Sequence, residues 1–121
     1  MKKFTLIALS PFILWGCTAV DLQAEQKYQS ALNSGQTVYQ ENCSACHGTD
    51  LLGTTQGPPL LWDLYITSHH PNKRMKQSLR EGVSQHHWVF GDMPDQSHLS
   101  DTELSDVVFF VRQNLYKSGF H

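Results

Sequence analysis

Cys43, Cys46 and His47 stand together in the run Cys43-Ser44-Ala45-Cys46-His47. Two thiols three residues apart lie on one side of a helical turn, and an imidazole follows at once. Three chemistries use such a grouping. A redox dithiol pairs two thiols between a strand and a helix, and no alternating strand pattern flanks this one. A structural zinc ion takes four ligands, so the fourth would come from a distant histidine. In c-type haem attachment, both thiols reach the vinyl groups along one side of a porphyrin and the histidine lies beneath the iron. The pattern favours this last chemistry. One covalent haem c is therefore expected, held by Cys43 and Cys46 with His47 as the proximal iron ligand.

Other short segments line up with this motif. Gly35 and Tyr39 are four apart, and Tyr39 is four before Cys43; Gly57-Pro58-Pro59-Leu60 reads as a turn, and Gly91-Asp92-Met93-Pro94 follows later. In this order, from Ser34 to Lys117, the chain resembles a small monohaem class I cytochrome c. The resemblance implies an all-α fold with three main helices and loops around the haem. It implies that Gly35 and Tyr39 lie where the first and last helices touch, and that the Pro58 carbonyl accepts a hydrogen bond from His47. By the same resemblance Leu60 packs on the haem and the Met93 thioether binds the distal face of the iron. Thioether ligation favours Fe(II) more than imidazole does, and Pro94 restrains the backbone beside Met93. The implied function is electron transfer between redox partner proteins, with no catalytic residue.

Seven histidines keep the distal ligand open to alternatives. His86 and His87 precede Met93 closely and are its main rivals; His69, His70 and His98 also lie in loops. A histidine there gives a lower potential. A displaceable sixth ligand suits a small haem enzyme or a cytochrome subunit of a dehydrogenase or oxidase complex. Met75, inside a helical segment, reads as core filler.

These residues need elements to hold them. Ser100-Asp101-Thr102-Glu103 is a capping box, and Leu104, Val107, Val108, Val111 and Leu115 recur beyond it at helical spacing, with Gly119 as a stop. Asn72–Glu81 reads as a further helix ending near Gly82. A domain this small has a marginal core, and a buried porphyrin adds the apolar surface that the chain lacks.

The 121-residue chain is 40% hydrophobic and 17% charged with a formal charge of −2, which gives no general electrostatic case for nucleic acid. Lys2 and Lys3 precede an apolar run, Phe4 to Trp15, that is too short to span a membrane and has the pattern of an export signal. Leu14-Trp15-Gly16-Cys17 resembles a bacterial lipoprotein box, which makes Cys17 a lipidation site; ordinary cleavage after Ala19 is the alternative. The expected organisation is a signal peptide (1–16), a tether becoming helical towards its end (17–33), a cytochrome c domain (34–117) and a short tail (118–121). The expected location is the bacterial periplasm, with a lipid anchor to a membrane. Lys73, Arg74, Lys76 and Arg80 form a basic run, and Asp92, Asp95, Asp101, Glu103 and Asp106 an acidic one. They read either as solvated faces or as guides for redox partners.

Overall fold

The computed structural model describes residues 15–121, with side chains from Val20 onward. The expected export signal in residues 1–14 and the side chain of the expected lipidation site, Cys17, lie outside the described residues. The element order is α1 (Trp15–Asn42), α2 (Ser44–His47), a 3-10 turn (Asp63–Tyr65), α3 (Asn72–Glu81) and α4 (Asp101–Lys117). Among the described residues there is no strand, only an isolated antiparallel bridge between Val83 and Met93. The architecture is the expected all-α one: three main helices with long loops between them.

α4 forms where the apolar spacing and the capping box place it. The Ser100 hydroxyl accepts from the Glu103 amide at 3.3 Å, and the Glu103 carboxylate accepts from the Ser100 amide at 2.8 Å. These bonds satisfy amides that the first helical turn leaves free, and the Ser100 hydroxyl, which also donates to the Glu103 carboxylate at 2.6 Å, followed by the Ser100 amide, holds that carboxyl below its ordinary pKa. From this start the helix buries Leu104, Val107, Val108, Phe110, Val111 and Leu115 on one side.

That side meets α1. Gly35 is the point of closest approach: a Cβ there would lie 2.6 Å from the Asp106 carbonyl carbon and 2.8 Å from Phe110 Cβ. Four residues on, Tyr39 is fully buried, with its ring centroid 5.5 Å from that of Phe110. The first and last helices thus touch through the glycine and the tyrosine.

The segment expected as a tether, 17–33, is helical throughout and continuous with the rest of α1, which begins at Trp15. Its glutamines, alanines, Glu25 and Lys27 are good helix formers, yet they supply no apolar stripe. Val20 and Leu22 are accordingly exposed. Contact with the domain begins at Tyr28, whose ring stands edge-on to Phe109 at 5.3 Å and whose hydroxyl donates to Gln113 Oε1 at 2.9 Å.

α3 spans Asn72–Glu81, as the sequence reading expects. The basic run on it is not a free face. Arg80 pairs with Asp101 at the start of α4, and Lys76 Nζ lies 3.5 Å from Ser105 Oγ. Both partners of the ion pair are open to solvent, so it contributes no more than about 1 kcal/mol. A firmer tie comes from Arg112 of α4, which donates to the backbone carbonyls of Tyr65 and His70 and, at 2.7 Å, to Asn72 Oδ1. One side chain thereby fixes the loop that leads into α3.

Candidate functional site

Cys43 closes α1 and the short α2 follows it, so Cys43, Cys46 and His47 are placed by one continuous helical path. The His47 amide bonds to the Cys43 carbonyl at 2.9 Å. The loop after α2 then folds back beneath it. Gly53 N bonds to His47 O at 2.8 Å, Thr54 Oγ1 donates to Cys46 O at 2.7 Å, and Leu60 N reaches Leu51 O at 2.8 Å. This hairpin-like return sets the Pro58 carbonyl 2.8 Å from His47 Nδ1. A carbonyl only accepts, so Nδ1 carries the proton and Nε2 keeps its lone pair. Burial lowers the pKa of His47, and the bond to Pro58 offsets this only in part.

His47 lines an apolar cavity that opens to solvent. Cys43, Cys46, His47, Pro58 and Leu60 form one part of its wall, Met75 and Leu79 of α3 another, and Val107, Val108 and Val111 of α4 a third. The loop between Val83 and Pro94 contributes the remainder, including His86, His87, Trp88 and Met93. Cys43, Cys46, His47, Pro58, Leu60 and Met93 therefore reach one cavity, with His70, His86 and His87; His69 and His98 do not line it.

Met93 and the two rival histidines differ in how they are held. Met93 sits in the isolated bridge: its amide bonds to Val83 O at 2.9 Å and its carbonyl accepts from Val83 N at 3.0 Å. Its side chain is half-buried, whereas His86 and His87 are exposed. His86 Nδ1 donates to Ser84 O at 2.9 Å within its own turn. Partial desolvation, followed by the nearby His86, His69 and His70 rings, holds the pKa of His87 below the ordinary value.

Cys43 and Cys46 are not paired in a disulfide, and burial raises the Cys43 sulfhydryl of the polypeptide, the opposite of the shift that a nucleophilic dithiol needs.

The family comparison decides the matter. The sequence matches the family model described as cytochrome c over residues 32–114, more than half of the chain. The chain belongs to the cytochrome c family. It is a small class I cytochrome c, an electron-transfer protein that carries one covalent haem c. No curated protein and no solved structure matched it.

The cavity of this cytochrome c fits that group by its own chemistry. Its walls are apolar, and two cysteine sulfurs and an imidazole converge on it. Trp88 Nε1 is buried without a hydrogen bond of normal geometry among the described residues, although it lies near enough to the Tyr65 phenol to offset part of the rise that burial gives it. A flat apolar group suits these walls. Trp88, Tyr65 and Leu79 were not singled out in the sequence. They stand in loops or on a mostly polar helix, where neither periodicity nor motif marks them, and only the folded chain brings them to the cavity.

Tyr39 does more than fill the gap beside Gly35. Its hydroxyl donates to the Gly48 carbonyl at 2.6 Å, tying the end of α1 to the residue after His47. Gly48 has φ 81°, a conformation that suits glycine, and an added Cβ would lie 2.8 Å from Asp50 Oδ1. The pKa of the Tyr39 phenol is raised, first by burial and then by Cys43 and Asp50.

Proposed function

We propose that this cytochrome c is an exported, single-electron carrier with His47 and Met93 as axial ligands and Cys43 and Cys46 as the thioether attachment points. The observation that carries the reading is the convergence of these four side chains on one apolar cavity, with His47 Nδ1 bonded to Pro58 O and Nε2 free. When bound, haem supplies a reversible Fe(III)/Fe(II) couple, and a thioether ligand raises its potential. The protein's part is to hold and to shield. Cys43 and Cys46 anchor one edge, Pro58 orients His47 and strengthens it as a ligand, and the Val83–Met93 bridge fixes the backbone that presents the thioether. Leu60 and the α4 valines exclude water.

Met93 is preferred to His86 and His87 because the bridge fixes its backbone and its side chain is the more buried. The competing reading, a haem enzyme or a subunit of a dehydrogenase or oxidase complex, requires a sixth position that opens. Carbon monoxide distinguishes the two. The reduced protein is expected to leave its spectrum unchanged under carbon monoxide near neutral pH, as a site closed on both faces does. Prompt formation of a carbonyl complex would favour the enzyme.

Export and lipidation of Cys17 belong to the same reading. They rest on the basic start, the apolar run and the Leu14–Cys17 segment. A lipid there would hold the carrier at a membrane in the bacterial periplasm, with α1 as a helical spacer. No helix among the described residues is long and apolar enough to cross a membrane. Redox partner proteins would dock where the cavity opens, near the exposed Trp62, Val89 and Phe90.

A further inference from the structure

Three histidines meet at the edge of the cavity: His70 and His87 also line it, and His69 does not. His69 and His70 end the turn that leads into α3, and His87 lies in the loop between Val83 and Pro94. One ligating nitrogen from each lies within 4.8 Å of the other two. Ring centroids are 4.7 Å apart for His69 and His70, 5.5 Å for His69 and His87, and 5.8 Å for His70 and His87. His69 and His87 are exposed and make no side-chain hydrogen bond among the described residues.

His70 is the fixed member of the trio. Its Nδ1 donates to the Leu64 carbonyl at 2.7 Å, which leaves the Nε2 lone pair free, and its own carbonyl accepts from Arg112. A metal-binding histidine is oriented by the same device, a ring N–H given to a backbone carbonyl. The turn around it is closed by His69 N and His70 N, bonded to Ile66 O at 3.1 and 2.8 Å. The opposite loop is braced as well, by Gln85 N on Asp92 Oδ1 at 2.9 Å and Gly91 N on Gln85 Oε1 at 3.0 Å.

We propose that His69, His70 and His87 form a three-imidazole site for a divalent cation of the zinc–copper class. Neutral imidazoles suit both ions, and three protein ligands leave one position for solvent. A tetrahedral site with metal–nitrogen bonds of about 2.0–2.1 Å asks for ligands roughly 3.3 Å apart. Rotation of the exposed His69 and His87 rings towards the fixed His70 closes the difference. The cation would join two loops that reach the site from separate parts of the chain, and it would hold the His87 ring on the outer side. The site rests on the proposed function in one respect: with Met93 on the iron, His87 is left for the cation.

The test is calorimetric titration of the holoprotein with Zn²⁺ alone, near neutral pH, for the parent, His69→Ala and His121→Ala. His69 is exposed and does not line the haem cavity, so an unchanged absorption spectrum verifies that its variant is folded. One zinc per chain is expected for the parent and for His121→Ala, with at least tenfold weaker binding in His69→Ala. A second readout uses Cu²⁺. The electron paramagnetic resonance spectrum is expected to show nitrogen couplings that diminish in His69→Ala. Equal zinc binding by parent and His69→Ala, or no saturable uptake by either, overturns the proposal. Uptake abolished instead by thiol alkylation also overturns it, and it would show separately that Cys43 and Cys46 are not occupied by haem.

Discussion

His47 is committed by its surroundings to one tautomer. The Pro58 carbonyl takes the Nδ1 proton, and burial favours the neutral ring. Both effects prepare Nε2 to act as a ligand, and once it is bound to iron His47 no longer titrates as a free imidazole. His87 does, and partial desolvation, followed by the His86, His69 and His70 rings, holds its pKa below 6.5. A histidine lowered in this way binds protons more readily when unfolded, so its contribution is complete above 6.5 and is lost as the pH falls through the lowered folded pKa. The midpoint of urea unfolding is expected to fall between about pH 7.5 and about pH 5, above the range where most carboxylates titrate. A midpoint that is flat or rising across that window would contradict the crowding of imidazoles around His87. The residues of the attachment motif were legible in the sequence because their chemistry depends on spacing along a single turn. Trp88 was not, because its burial depends on a cavity built by distant segments.

At the scale of elements, the contact between α1 and α4 sets the frame on which the site stands. Gly35 permits it, since an added methyl would meet the Asp106 carbonyl and Phe110 Cβ inside contact distance. Gly35→Ala is expected to push the helices apart and to cost about 1–3 kcal/mol or more, as overpacking does. Chemical denaturation checks this; unchanged stability would mean that the helix pair yields without cost. The frame was largely readable beforehand. α4 carries a capping box and apolar residues at helical spacing, and the Gly35–Tyr39 pair marks the partner surface. The full length of α1 was not readable, because its first turns rest on helix propensity without an apolar face. The Val83–Met93 bridge was not readable either, since it pairs short loop segments with no alternating pattern. The meeting of His69 and His70 with His87 follows from that same loop closure and leaves no local sign.

For the whole molecule, the balance between a small protein core and a large cavity is decisive. The buried hydrophobic residues gather mainly along the α1–α4 contact, while α3 and the loop from Val83 to Pro94 face the cavity. Without a group in the cavity those parts have little apolar surface to bury, and domains of this size are marginal on their own. The double variant Cys43→Ala/Cys46→Ala, expressed without attached haem, is expected to lose most of its helical circular dichroism. Native-like helicity in that variant would show that the polypeptide core suffices. The charged runs are better understood at this scale as well. Arg80 is engaged with Asp101, so the basic run offers partners less free charge than its composition suggests.

The central claim is that the haem iron is closed on both faces by this chain, with sulfur on the distal side. The red-region absorption of the oxidised protein tests it most directly. The sulfur-to-iron charge-transfer band is expected in the parent, retained in His86→Ala and His87→Ala, and absent from Met93→Ala. No band in the parent, or a band that survives the loss of Met93, would contradict the account.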